Sequence, residues 1–371
     1  MEYKYILPEE APGSAIDTLV GSPTVESLVV LGTVADQAQN TALDEHLTTL
    51  SVPVLGGIFP QIIVDGTARE RGTLLLGLGE TPAITRVDGL SDPDEQYTDQ
   101  LPNLLTSGYE TAFVFTDAFA ERTNEFVTAL FDAYGSELTV LGGGAGALSM
   151  EQQPCLFTND GLVEDAALVA AVQTRGTIGV NHGWQEFAGP FRVTDADGPI
   201  VKHLGDDTAF AVYRDIVEQD IEASLTTDNF FEIAKSYPLA ISRFEAEKIV
   251  RDPFEVTDEG ALRCFGDIPE GSFVHILKGV PDSLVDAARM AATAANDAAG
   301  STEGNRATLF FDCISRVLYL EEKFGRELAA VEESSPTPVV GALTIGEIAN
   351  SGSGPMELYN KTAVVGVLED L

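Results

Sequence analysis

Apolar runs that recur with the same punctuation organise this chain. Leu28-Val29-Val30-Leu31 is followed by a helical stretch carrying Leu43 and Leu47, and a second apolar run, Val52-Pro53-Val54-Leu55, ends in Gly56-Gly57. The pattern returns from Ala112-Phe113-Val114-Phe115, through a helix with Phe126, Leu130 and Phe131, to Leu138-Thr139-Val140-Leu141 and Gly142-Gly143-Gly144. It returns again from Ala307-Thr308-Leu309-Phe310-Phe311, through a helix with Leu320, Phe324 and Leu328, to Pro338-Val339-Val340 and Gly341. From the last apolar residue of each opening strand to the first glycine of each return, the spacings are 25, 27 and 30 residues. A buried strand, a polar loop, an amphipathic helix and a second buried strand make a β-α-β crossover of the length a parallel pair needs. Glycine after the second strand predicts a turn with positive φ, or a close approach of another element or a ligand. Turns follow at Asp65-Gly66, Asn159-Asp160-Gly161 and Asn360-Lys361-Thr362.

Other strand-like runs lie between these units: Thr73 to Leu78, Gly176 to Val180, Phe191 to Thr194 with Ile200-Val201, and Ser272 to Leu277. They read as antiparallel additions to mixed sheets. A helix opens at Pro281-Asp282, carries Leu284, Ala287, Ala288, Ala291 and Ala295 on one face, and gives way to a loop from Gly300 to Gly304. The expected class is α/β (mixed α+β), with the repeated units forming two mixed-sheet domains and helices packed on the sheets. The division is expected between 205 and 235, giving domains 1–225 and 226–371.

Charge changes the picture of the surface. Against 59 Asp and Glu stand 21 Lys and Arg, only seven of them Lys, for a formal net charge of -38. The acids are spread along a chain that is 44% hydrophobic, so the charge marks a solvated surface and not disorder. Molar salt would screen the resulting self-repulsion, which predicts a halophile's protein in a potassium-rich cytoplasm. No segment is basic enough to bind a nucleic-acid backbone. No signal peptide opens the chain and no apolar run is long enough to span a membrane, so neither nucleic acid nor membrane is an expected partner.

Candidate chemistry is sparse. Cys155, Cys264 and Cys313 are widely separated, and His46, His182, His203 and His275 show no metal-ligand spacing, so no metal is expected. Gly142-Gly143-Gly144-Ala145-Gly146-Ala147 has the letters of a dinucleotide fingerprint, but the sequence after it, up to Pro154, is a weak helix former, which argues against a nucleotide. Asn181-His182-Gly183-Trp184 combines an imidazole with the single tryptophan; it lines a pocket or packs in the core. Arg316, after the third opening strand, and Glu347, in its return loop, suit the carboxylate and ammonium of a zwitterion, or pair with each other. Cys313 as a nucleophile lacks a nearby histidine.

Taken in order, these motifs resemble the FIST family, a two-part intracellular sensor domain. The N-terminal likeness rests on Gly142 to Gly146, Asn159-Asp160-Gly161, Asn181 to Trp184 with Val193-Thr194, and Asp206 to Tyr213. The C-terminal likeness rests on Arg251-Asp252-Pro253, Phe311 to Arg316, Gly346-Glu347-Ile348 and Asn360-Lys361-Thr362. The resemblance implies an FIST N-type and an FIST C-type domain, and a non-enzymatic sensor of a small polar ligand such as an amino acid, signalling through a separate output protein because no output domain is attached. The expected ligand-facing residues are Gly142, Gly143, Gly144, Asn181, His182, Trp184, Cys313, Arg316, Gly346, Glu347 and Asn360. No cofactor is expected; a haem-linked branch of the family leaves His182 as the one haem ligand to test. The alternatives are an enzyme using Cys313 or Glu347, and a protein-partner scaffold that binds no ligand.

Overall fold

Each crossover forms where the apolar pattern puts it. In the computed structural model, which describes residues 1–243, 247–300, 306–350 and 354–369, Ser27–Thr33 runs parallel to Val54–Phe59, Thr111–Asp117 to Thr139–Ala145, and Arg306–Cys313 to Val339–Thr344. A later antiparallel strand flanks each opening strand on its other side: Thr73–Leu78, Ala166–Val172 and Ala363–Glu369. The third unit is longer because its connection holds two helices, Ile314–Leu320 and Phe324–Glu333, instead of the single helix expected. Of the expected loop from Gly300 to Gly304, only Gly300 falls among the described residues.

Each unit sends a hairpin to another unit's return strand. The hairpin of Gln61–Val64 and Thr67–Arg69 joins Val339–Thr344 of the third unit. That of Leu156–Thr158 and Gly161–Val163 joins Val54–Phe59 of the first, and that of Glu347–Asn350 and Met356–Tyr359 joins Thr139–Ala145 of the second. The exchange closes a cycle, so no unit completes its sheet alone. The recurring glycine has its cause inside each unit, where the return strand lies against its own opening strand. Gly56, Gly142 and Gly341 lie opposite Phe157, Ile348 and Ile63 of the incoming hairpins, with φ of 157°, 151° and 158°. A Cβ there would sit 1.9, 1.9 and 2.0 Å from the carbonyl oxygens of Val30, Val114 and Phe310.

The three sheets turn one face toward a shared core. Phe115 meets Phe59 and Phe311 edge-on at 5.8 and 5.9 Å between ring centroids, so each unit contributes one aromatic to the same cluster. Burying each such side chain contributes about 1.5–3 kcal/mol. Helices cover the outer faces: Pro12–Val20 and Gln37–Leu47 over the first sheet, Thr123–Tyr134 over the second, Pro281–Ala299 and Phe324–Glu333 over the third. Pro281–Ala299 approaches closely because its inner face is alanine; the space for a Cβ on Gly179 of the strand Gly176–Asn181 is taken by the carbonyl of Ala291, 1.9 Å away.

A fourth sheet was not anticipated. The strands at 191–194, 200–201 and 272–277 join no mixed sheet; they belong to an antiparallel barrel. Its neighbours run Gln185–Asp197, Phe273–Lys278, Leu239–Ile241, Ile249–Val256, Leu262–Phe265 and Ile200–Leu204, and Gln185–Asp197 pairs with the last as well, closing the ring. The expected division at residue 225 therefore falls inside a packing unit, where Leu225 belongs to the barrel core. Gly176–Asn181 meanwhile pairs with Ala363–Glu369, and the hairpin exchange ties the first half of the chain to the second. Among the described residues no helix is long and apolar enough to cross a membrane.

Candidate functional site

The barrel, the second unit and the third unit meet around a cleft of about 450 Å³. One wall is the segment after the strand Thr111–Asp117, including Ala118, Phe119, Glu121 and Asn124; another is Phe254, Arg263, Phe265 and Asp267 of the barrel; Ile345, Leu358 and Asn360 of the third unit close it. Met150, Phe265, Ile345 and Asn360 are shared with a smaller chamber of about 30 Å³, whose lining includes Asp252, Cys313, Ser315 and Gly346. Cleft and chamber thus lie against the ends of the strands Thr111–Asp117 and Arg306–Cys313, where open α/β sheets bind ligands.

The chamber is mostly apolar, with Asp252 and Asn360 among its lining residues. Asp252 and Asn360 are 2% and 3% exposed, and Oδ1 of each has no hydrogen-bond partner within the protein. Oδ2 of Asp252 is 3.1 Å from the buried Lys361 Nζ, which also donates to the Lys235 carbonyl. The Cys313 thiol meets the Glu347 carboxyl, and the backbone N–H groups of Ser315 and Lys361 face its sulfur. Leu148, Met150, Phe231, Phe265 and Leu318 line the same chamber. Leu148 and Met150 are 48% and 42% exposed, and Met150 holds the left-handed φ of 60°.

Of the expected ligand-facing residues, Cys313, Gly346 and Asn360 reach this space. Arg316 does not. Its side chain is fully buried: Nε and Nη2 donate to the Glu327 carboxylate at 2.8 and 2.9 Å, Nη1 to the carbonyls of His182 and Lys361, and Nη2 also to that of Leu284. Its ion partners are Glu327 and Asp312, not Glu347. Burial works against the guanidinium charge, but the two carboxylates outweigh it and raise its pKa. Asp312 is pushed up by burial and then by Glu327, while Arg316 opposes the shift. With every guanidinium N–H engaged, Arg316 has none left for a ligand carboxylate.

Glu347 is also withdrawn from the cleft. Thr344 Oγ1 donates to its Oε1 at 2.9 Å and the Thr362 N–H lies 3.3 Å from its Oε2, while burial raises its pKa to about 8. It backs Cys313 from behind and does not line the chamber. Burial, then Glu347, holds the Cys313 pKa far above that of a free thiol, which is the environment of an inert cysteine.

Asn181, His182 and Trp184 line neither the cleft nor the chamber. His182 Nδ1 accepts from the Trp184 N–H at 2.9 Å and its Nε2 faces Glu247 at 3.4 Å. Burial, with help from Arg316 and Lys248, lowers its pKa to about 3. Trp184 donates to the Lys361 carbonyl, meets Tyr319 at a tilt of 53° with ring centroids 4.9 Å apart, and carries the Lys361 ammonium 5.0 Å above its ring. The segment is a packed support under the chamber. An imidazole with both nitrogens so engaged does not fit a haem ligand, and among the described residues no group of three His, Cys, Asp or Glu is placed to hold a metal ion.

Gly142, Gly143 and Gly144 lie within the strand Thr139–Ala145 and face no ligand space. A Cβ on Gly143 or Gly144 would come 2.5 or 2.4 Å from the carbonyls of Gly346 and Ile345, and Gly144 exchanges backbone hydrogen bonds with that loop. The run makes room for the hairpin that brings Gly346 and Asn360 to the cleft, and no helix starts at it. Asp252, Lys361 and Met150 are the site residues that sequence reasoning missed. The first two lie in motifs behind the family resemblance, Arg251-Asp252-Pro253 and Asn360-Lys361-Thr362. The adjacent charges Arg251-Asp252 within the strand Ile249–Val256 were the available signal for Asp252.

A cleft framed by hairpin-exchanged β-α-β units and an antiparallel barrel defines a two-part α/β architecture. Residues 28–207 match the FIST N domain and residues 209–350 the FIST C domain. The chain belongs to the FIST family, whose domains are small-ligand sensors of signal transduction. No curated protein matches it.

Proposed function

We propose that the protein is an intracellular sensor whose cleft between barrel, second unit and third unit takes a small polar metabolite, an amino acid or a related amine. The observation that carries this reading is the pair of unpartnered, buried acceptors of Asp252 and Asn360 in a chamber opening onto the cleft. Buried polar atoms are normally satisfied, and those left open in a cavity suit a ligand that satisfies them. Three packing units meet there, so a ligand that binds two of their arrangements differently shifts the balance between them, and a separate partner protein reads the shift. A cytoplasm rich in potassium suits the surface charge.

The test is a thermal-shift screen in about 2 M KCl against amino acids, amines, nucleotides and haem, because a ligand of the native state raises the melting temperature by mass action. A saturable shift lost on Asn360→Leu supports the reading; no shift from any class moves weight to a scaffold that binds only protein. The contact of Cys313 with Glu347 favours a second reading, an enzyme with a thiol nucleophile and a carboxylate base. Labelling of Cys313 in the native protein at the rate of an activated thiolate would favour it; slow labelling, as burial predicts, leaves the sensor.

A further inference from the structure

We infer that the chamber selects a primary ammonium group on an apolar tail, and discriminates against the same molecule carrying an α-carboxylate. This deepens the sensor reading and rests on it. First, the two open atoms, Oδ1 of Asp252 and Oδ1 of Asn360, are both acceptors, so the missing partner is a donor. Second, the lining of cleft and chamber is acidic. Glu121, Asp252, Glu255 and Asp267 line it, against a single cation among the described lining residues, Arg263, which is paired to Glu255 at 2.9 Å. Arg316 cannot serve a carboxylate, because its donors are used inside the core.

Third, size and polarity sort head from tail. A chamber of about 30 Å³ has room for one water-sized group, such as an ammonium, and none for a carboxylate branching beside it. Met150, Phe265 and Ile345, shared by chamber and cleft, give an apolar tail a lining that continues into the wider space. An ammonium there makes charge-assisted hydrogen bonds to Asp252 and Asn360 without displacing Lys361 from Oδ2 of Asp252.

Three probes with one tail and three heads test this: phenethylamine, phenylalanine and 3-phenylpropionate, titrated calorimetrically in about 2 M KCl so that bulk attraction to the acidic surface is screened. Phenethylamine is expected to bind about tenfold or more tighter than phenylalanine, with 3-phenylpropionate weakest, as loss of a charged hydrogen bond predicts. Asn360→Leu removes an acceptor that the fold leaves open, so the variant is expected to melt at the same or a higher temperature while losing about tenfold in amine affinity. Met150→Ala, at an exposed position, is expected to weaken phenethylamine by about threefold to tenfold through lost tail contact, with folding unchanged. Phenylalanine binding as tightly as the amine, or amine affinity untouched by Asn360→Leu, overturns the inference while leaving a ligand sensor standing. If none of the three binds, the inference also fails, since the chamber then holds water only. The broader screen decides separately whether the cleft binds any metabolite.

Discussion

Arg316 and Asn360 both come from motifs that a sequence reader would assign to a ligand, yet burial gives them opposite roles. Arg316 is held by two carboxylates and three carbonyls. Replacing it with Met leaves Asp312 and Glu327 buried without their cation, so we expect a loss of about 3–5 kcal/mol, measured by urea unfolding. That loss marks a core ion cluster and not a ligand contact. The pH dependence has two opposed parts. Glu347 has a pKa raised to about 8, so its contribution is present below the ordinary carboxyl value and is lost as pH rises toward 8. His182 has a pKa lowered to about 3, so its contribution is present above the ordinary imidazole value and is lost as pH falls toward 3. Stability is therefore expected to peak between about pH 5 and 6.5. Glu347→Gln should flatten the alkaline side in molar salt, and an unchanged slope in unfolding titrations would place that proton elsewhere. The sequence put Arg316 and Glu347 near one another but gave no hint that Glu327, a helix later, would claim the guanidinium. Many carboxylates are compatible with one arginine, and only packing chooses among them.

At the scale of elements, what could be read was whatever depends on local pattern. The three parallel crossovers, their turns and the helix Pro281–Ala299 follow from apolar runs, periodicity and punctuation within about 30 residues, the crossover length. The hairpin exchange and the barrel were hidden because pairing such as Gly142 with Ile348 spans half the chain. A strand that closes a barrel also has the same alternation as one that extends a sheet. The recurring glycine was visible, but its cause was not: it lets the return strand lie against a carbonyl of its own opening strand, whereas the sequence reading also allowed a ligand. Two substitutions separate those causes. Gly108 has φ of 79° and ψ of 19° with nothing within 4 Å of a built Cβ, so Gly108→Ala is expected to cost only about 1–2 kcal/mol of left-handed strain. Gly142→Ala adds a backbone collision with Val114 and is expected to exceed about 4 kcal/mol, or to prevent folding. Equal, small effects in denaturant unfolding would mean that the strand can shift and that the glycine serves something other than this close approach of the two parallel strands.

For the whole molecule, a net charge of -38 acts on every unit at once. Most of the cations resolved in ion pairs sit on the surface beside a single acid, as Arg71 does with Asp36 and Lys248 with Glu186, which leaves a large acidic excess without partners. At about 0.01 M salt the Debye length is near 30 Å, so charges across one unit repel those of the next; at about 1 M it is near 3 Å and that repulsion is gone. The cyclic hairpin exchange makes the units fold together, so the repulsion should lower one cooperative transition and not melt one unit first. Melting followed by circular dichroism and by Trp184 fluorescence is therefore expected to give a single midpoint that rises steeply with KCl up to about 1 M and then levels, as screening saturates. The lone tryptophan lies between barrel and third unit, so its signal reports the junction around the cleft. A fluorescence midpoint well below the dichroism midpoint at low salt would show that this junction opens before the sheets melt. The units would then be able to rearrange around a ligand at a cost smaller than unfolding, which is the mechanical requirement of a sensor.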